Sequence, residues 1–162
     1  MRSGARRGSV PPSTEPLRER ILAAVATQLA TITAGSTYWA TPVLVTRALL
    51  SVDAYKEELL SGPIFGVTRA TGSLFERASH DDSYLEHFRF TVECYVRDRA
   101  NVLAATWLER SWEDRLHVLL TNQHLGGLVD LLRPEITETD EGALEPEAWF
   151  RQTWTADVPR EP

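Results

Sequence analysis

Reactive side chains are scarce in this chain, and each scarcity argues against a class of protein. Cys94 is the only cysteine among 162 residues, so no disulfide can form within the chain. A lone thiol on the apolar side of a strand usually acts as a small buried hydrophobe. The glycine-rich phosphate loops, the G-x-S-x-G turn and the close ligand spacings of zinc sites are also missing. We therefore predict no catalytic constellation, and we expect neither a cofactor nor a metal.

Long apolar runs and basic charge are lacking as well. No stretch of about 18 apolar residues occurs, so no membrane helix is predicted. Arg2, Arg6 and Arg7 are followed by Pro11 with no apolar segment between them, which argues against a secretory signal. A net charge of -6 and a pI near 5.2 argue against a free-standing binder of duplex DNA. We expect a protein that works, or is assembled, in the cytoplasm.

The stretch from Tyr84 to Asn122 predicts a long strand followed by a long helix. Polar and apolar residues alternate from His87 to Arg97, as on a strand with one buried face. The apolar side consists of Phe88, Phe90, Val92, Cys94 and Val96. Asp98 is suited to an N-cap, and apolar residues then recur at three- and four-residue steps. This helical stripe consists of Ala105, Leu108, Trp112, Leu116 and Leu119.

The remaining segments complete an α+β domain. Before the central strand we predict a helix at Leu17 to Thr33, strands at Thr37 to Ala48 and Ile64 to Arg69, and an exposed hairpin loop at Thr71 to Ser83. After the central helix we predict a strand at Leu128 to Ile136, an acidic loop at Glu135 to Glu147, and a last strand at Ala148 to Val158. Clustered strands with one helix before them and one among them predict a mostly antiparallel sheet with two main helices packed on one face.

This pattern divides the chain into three parts. Residues 1–16 form a flexible N-terminal arm, residues 17–158 a single α+β domain, and residues 159–162 a C-terminal tail. The arm could instead become ordered on a neighbouring subunit or on DNA. His80, Asp81 and Asp82 lie close to His87, but their spacing does not match a zinc site, so a solvated polar loop is the better interpretation.

The order of elements resembles that of a known family. The features that carry this resemblance are the strand Phe88 to Val92 continuing through Arg97, Asp98 and Arg99 into a helix, the turn Leu125 to Leu128, and the final strand ending Trp154 to Val158. From Leu17 to Val158 the chain resembles the tail terminator proteins of long-tailed bacteriophages and the related minor tail or tail-completion proteins of the neck.

The resemblance implies a structural virion protein and not an enzyme. Its members form a ring, expected to be a hexamer, which caps the head-proximal end of the tail tube and ends tube polymerisation. The implied partners are further copies of this chain, the tail tube protein, and a head–tail connector or head-closure protein. Genome DNA would pass through the ring without specific binding, and no membrane is involved. The protein would be assembled in the host cytoplasm and reside in the tail neck of the virion.

Two segments are candidate sites under this interpretation. The acidic loop is expected to face the channel and repel the DNA phosphates; its acids are Glu135, Glu138, Asp140, Glu141, Glu145 and Glu147. The hairpin loop, as the longest irregular insertion between paired strands, is expected to contact the tube; its candidates are Ser73, Leu74, Phe75, Arg77, His80, Asp81 and Asp82.

Three alternatives remain open. Another neck component, such as a head-closure or connector protein, would share the small α+β build. A ligand-binding domain or small enzyme would need polar groups that converge in an apolar cavity, and the sequence nominates no such set. A regulatory DNA-binding protein would need a basic recognition helix, which the acidic composition does not favour.

Overall fold

The computed structural model describes residues 15–35, 38–51, 53–72, 74–77, 84–97, 112–121, 123–140 and 147–160. Its helical segments are α1 (Leu17–Ala30), α2 (Lys56–Leu59) and α3 (residues 112–120), with a 3-10 turn at Leu125–Gly127. Its strands are β1 (Leu44–Thr46), β2 (Ile64–Arg69), β3 (Leu74–Arg77), β4 (Tyr84–Arg97), β5 (Leu131–Thr139) and β6 (Glu147–Arg160). The predicted α+β class is confirmed.

The described strands form one six-stranded sheet. Strands β1, β2, β4, β6 and β5 follow one another in that order, and β3 pairs with β4 beyond the end of β2. Strand β1 runs parallel to β2, and the other pairings are antiparallel. Strands β4 and β6 pair along all 14 of their residues, from Tyr84 opposite Arg160 to Arg97 opposite Glu147. This central pair determines where every other strand lies.

The core lies between helices α1 and α3 and one face of the sheet. Val25 and Leu29 from α1 join Leu116 from α3 in a single buried cluster with the apolar side of β4. The alternation predicted for β4 is confirmed, because its apolar residues from Phe88 to Val96 are at most 2% exposed. On α3, Trp112 and Leu116 are buried as predicted, but Leu120 is more deeply buried than Leu119.

Several predicted boundaries shift because strand pairing extends or shortens them. Helix α1 ends at Ala30 and not at Thr33. Strand β1 is only three residues long, whereas Thr37 to Ala48 was the predicted span. Strand β5 starts after the glycine turn and continues to Thr139, and β6 runs to Arg160 instead of ending at Val158. Both extensions follow from pairing along a neighbouring 14-residue strand, which satisfies backbone groups that would otherwise lack partners.

The hairpin loop predicted at Thr71 to Ser83 is wrong for its middle portion. Leu74 to Arg77 form β3, with Leu74 opposite His87 of β4. Strand β4 extends beyond the end of β2, so its edge can accept this second short strand. Gly72, at φ +86°, separates β2 from β3. Arg89 stabilises this break, because its Nη1 donates a hydrogen bond to the Thr71 carbonyl oxygen at 3.0 Å. Residues 73 and 78–83 lie outside the described part of the chain.

The segment after β1 crosses the second face of the sheet, the face opposite α1 and α3. It passes directly over Gly66, where an added Cβ would lie 2.8 Å from Leu50 Cγ and 2.9 Å from the Ala48 carbonyl oxygen. Leu50 and Leu59 form a small cluster there with Ile64, packed against Tyr95. The close approach therefore requires glycine at position 66, because a side chain would have no room there. The φ angle of this residue is not the reason.

Substitution of Gly66 by alanine should push this crossing segment off the sheet. We expect Gly66→Ala to lower the free energy of unfolding by about 1–3 kcal/mol, as overpacking of a filled site does. Gly35→Ala is the matched control, because an added Cβ there meets nothing within 4 Å. Urea denaturation of both variants measures the difference. Equal stability of the two variants would contradict the close approach.

Candidate functional site

The second face of the sheet carries a series of cross-strand ion pairs. Opposite each other on β4 and β6 stand His87 and Asp157, whose Nδ1 and Oδ1 are 2.7 Å apart. Further along, Arg151 Nε donates to Glu93 at 2.8 Å, and at the far end Arg97 lies 3.3 Å from Glu147. Strand β5 adds Arg133, which donates to the same Asp157 oxygen at 2.8 Å, and Glu135, which accepts from Arg89 Nε at 2.9 Å.

Three of these carboxylates lie deeper than their arginine partners. The Glu93 side chain is 4% exposed, whereas Arg151 above it is 37% exposed. The Asp157 and Glu147 side chains are each 14% exposed, while Arg133 is 51% exposed. A carboxylate removed from water is stable only when it is paired, so each arginine offsets the desolvation of the acid beneath it. The outermost groups at these positions are therefore guanidinium groups whose charge is already balanced.

A groove of about 310 Å³ lies among these pairs. Its floor is a row of hydroxyls on three adjacent strands, formed by Thr68, Thr91 and Thr153. The Thr68 and Thr91 hydroxyl oxygens are 2.9 Å apart and share a hydrogen bond. Arg89 stands on one side of this row and Arg151 on the other, and Leu49 from the crossing segment forms a wall.

The groups around this groove satisfy one another. The arginines donate to Glu93, Glu135 and backbone oxygen, and the first two threonines bond to each other. Beside the groove, burial raises the pKa of the Tyr95 phenol, and the Glu93 carboxylate raises it further, so the phenol stays neutral at physiological pH. Among the described lining residues we find no nucleophile held against a base. The groove is a polar surface whose arginines Arg89 and Arg151 are paired with carboxylates.

The acids of the predicted acidic loop are placed mostly on strands. Glu135 and Glu138 belong to β5, and Glu147 belongs to β6, so the loop predicted at Glu135 to Glu147 is wrong for its two ends. Glu141 and Glu145 lie outside the described residues. The segment contains no cation, but neighbouring strands supply them: Glu135 pairs with Arg89, Glu147 with Arg97, and Glu138 lies 3.9 Å from Arg151. Asp140 accepts a hydrogen bond from the Trp149 amide at 3.3 Å.

The predicted tube-contact residues lie at the opposite edge of the sheet. Leu74, Phe75 and Arg77 are in β3, while Ser73, His80, Asp81 and Asp82 are outside the described residues. Two strands, β4 and β6, separate β3 from β5. The described parts of the two predicted segments, in β3 and β5, therefore do not lie on neighbouring strands.

Of the two outer edges of the sheet, the sequence indicates one: Pro42, near the start of the strand predicted at Thr37 to Ala48, is typical of an edge strand that could pair with a neighbouring chain, whereas nothing in the sequence marks β5 as the other edge. In the part of the chain that the structure describes, no strand pairs with the outer side of β1, β3 or β5. Exposed aliphatic side chains accompany these edges: Leu74 on β3 is 66% exposed, Ile136 on β5 is 54% exposed, and Leu49 just after β1 is 71% exposed. Unpaired edges that carry exposed apolar groups are typical sites of association with another chain.

The described residues offer neither a metal-binding cluster nor a membrane-spanning helix. Among the described residues, no group of three or more histidine, cysteine, aspartate or glutamate side chains is arranged to hold a metal ion. No described helix is both long and apolar enough to cross a membrane.

Comparisons with known proteins add no family. No protein-family model matches this chain, and no curated protein matches it either.

Removal of Arg151 should leave Glu93 as a buried charge without its arginine. Breaking a fully buried pair costs about 3–5 kcal/mol, and we expect about 2 kcal/mol for Arg151→Met because Arg151 is 37% exposed and water screens part of the interaction. Methionine keeps the apolar stem near the Trp149 ring, over which the Arg151 guanidinium lies at 5.0 Å. Chemical denaturation measures the change.

Two further variants control this experiment. Arg133→Met removes an arginine that is 51% exposed, and it should cost less than about 1 kcal/mol. The double variant Glu93→Gln/Arg151→Met leaves no buried charge, so it should be more stable than Arg151→Met alone. A double variant that is no more stable would show that the loss comes from packing and not from the buried carboxylate.

Proposed function

We propose that this chain is a structural virion protein that forms a ring on the head-proximal end of a phage tail tube. In this role it ends tube polymerisation and provides the surface for head–tail joining, without catalysis or a cofactor. The observation that carries the proposal is that, among the described residues, no strand pairs with the outer edges of the sheet, and each edge is flanked by an exposed aliphatic side chain. The groove is charge-balanced and its polar groups bond to one another. This favours its use as a contact surface rather than as an active site.

Because the two edges differ, a ring of copies is favoured over a symmetric dimer. Strand β1 and the crossing segment form one edge, and β5 forms the other, so a contact between them joins unlike patches. Such a head-to-tail contact repeats from copy to copy and closes into a ring when the rotation allows. The resemblance supplies the expectation of six copies. It also supplies the build of a mostly antiparallel sheet with two main helices on one face.

The proposal assigns the partners that the resemblance implies. These are further copies of this chain, the tail tube protein, and a connector or head-closure protein, with genome DNA passing through. The tube-contact hypothesis depends on residues 73 and 78–83, which lie outside the described residues, and the proposed ring does not depend on it.

Disruption of the gene in a phage genome tests the proposal directly. If the chain is a terminator, electron microscopy of the lysate should show tail tubes of uncontrolled length beside filled heads. Tails of normal length that are detached from heads would assign the chain to head closure or connection instead. Intact infectious particles would reject a neck role and favour the ligand-binding alternative.

The channel-facing hypothesis can be tested on three acids of the predicted acidic loop. Glu138 is 50% exposed and lies 3.9 Å from Arg151, and Glu141 and Glu145 lie outside the described residues. If these acids repel DNA inside the ring, the variant Glu138→Gln/Glu141→Gln/Glu145→Gln should slow DNA ejection, because phosphate would then meet less negative charge. Ejection is measured by dye fluorescence after receptor triggering.

The matched control removes three exposed acids elsewhere, in Glu57→Gln/Asp114→Asn/Asp130→Asn. It lowers the negative charge by the same amount and should leave ejection unchanged. Equal ejection rates for the two triple variants would contradict the channel-facing role.

A further inference from the structure

The first half of the edge strand β5 is protected from pairing with another strand, whereas its second half keeps a regular register with β6. Pro134 has no amide hydrogen, and the register with β6 shifts between Pro134 and Ile136, which marks a bulge at Glu135. Proline, bulges and charged side chains are the usual means of preventing an edge from pairing. Past the bulge, Ile136 lies opposite Thr153, and the regular register resumes. Any association through this edge is therefore confined to the half that starts at Ile136.

The two outer edges run in opposite directions. Strand β1 is parallel to β2, while β2, β4, β6 and β5 alternate in direction across the sheet. Strand β1 is thus antiparallel to β5. When a second copy is placed beside the first by rotation about an axis along the strands, its β5 meets β1 of the first in an antiparallel arrangement. This arrangement continues the sheet in its more stable pairing mode.

One row of paired residues connects the two edges. Registers across the sheet join Thr46, Gly66, Glu93, Arg151 and Glu138 in this row. A contact between copies that continues the row places Glu138 of one copy beside Thr46 of the next.

Apolar side chains coincide at this junction. Ile136 stands two residues before Glu138, in the row of Thr153, Thr91 and Thr68 that forms the floor of the groove. Leu49 lines the same groove on the β1 side. The two side chains are 54% and 71% exposed, and both lie on the second face of the sheet. A contact that joins the β5 edge of one copy to the β1 edge of the next brings Ile136 towards Leu49.

We infer that β5 of one copy, from Ile136 onward, lies antiparallel beside β1 of the next copy, with Ile136 packed on Leu49. The sheet then continues from subunit to subunit around the ring, and the threonine-floored groove lies next to this interface. The inference rests on the proposed function, because it gives the ring its contact. It commits to a second copy of this chain as the partner.

Thiol cross-linking of the full chain tests the contact. In Leu49→Cys/Ile136→Cys each subunit carries both halves of the junction, so a short bifunctional thiol reagent should link copies into a ladder that extends beyond the dimer. Each single-cysteine variant should give no cross-link, because like positions lie on different sides of the contact. The unsubstituted chain is the blank, since Cys94 is buried. Denaturing gel electrophoresis and mass measurement identify the products.

Other outcomes have distinct meanings. A cross-linked dimer from Ile136→Cys alone would show a symmetric β5–β5 contact and overturn the inference. A double variant that remains uncross-linked in concentrated solution would overturn it as well. If gene disruption shows a terminator while the ladder is missing, the inference fails and the proposed function stands. A ladder of cross-linked copies without a tail phenotype would uphold the inferred contact and reject the proposed function.

A charge substitution provides an independent measurement. Ile136→Lys places a cation against Leu49 of the next copy and should shift the mass measured by light scattering from the ring to the monomer. Val118→Lys is the matched control, because Val118 is 70% exposed on α3, away from both edges. Retention of the ring in Ile136→Lys, with folding verified by circular dichroism, would contradict the Ile136–Leu49 contact.

Discussion

The pairing of β4 with β6 is the constraint on which the rest of the structure depends. Because the two strands match over 14 residues, they fix two unlike surfaces at once. On one surface Phe90 lies opposite Trp154 and Cys94 opposite Phe150, and this apolar strip receives α1 and α3. On the other surface the same register sets acids opposite bases. A slip by one residue would exchange the surfaces and place Glu93 in the core.

Charge also anchors the helix layer to this pair. Glu86 is on the core side of β4 and is fully buried, with Arg18 of α1 as its ion-pair partner. Arg18 also lies over the Phe88 ring, 5.7 Å from its centroid. Glu19, one residue further along α1, pairs with Arg69 at the end of β2. The start of α1 is therefore held over the β2–β4 edge by paired charges, while its later turns are held by apolar packing.

The sequence predicts more of this arrangement when strands are compared with one another than when each strand is considered alone. Alternation in β4 predicted the buried apolar side, and the helical stripe predicted the burial of Trp112 and Leu116. The register of β4 with β6 was also available, because one alignment sets Glu93 opposite Arg151 and Arg97 opposite Glu147, and it also places His87 opposite Asp157. By contrast, β3 could not be predicted from its own residues. It exists because β4 extends past β2 and provides an edge, and the short β1 likewise depends on its neighbour.

The β5 edge was hidden for the same reason, whereas Pro42 already indicated an edge near β1. Whether a strand is an edge is a property of the whole sheet, so neither Leu49 nor Ile136 stands out in the linear pattern. The structure treats the two halves of β5 differently: Pro134 and the bulge prevent pairing in the first half, whereas the second half keeps a regular register and exposes an aliphatic side chain. A protein with no use for this edge would gain by extending the same protection to Ile136. The selective protection is best explained if the second half of β5 meets a partner, and a closed ring of copies is an arrangement in which no such edge remains exposed.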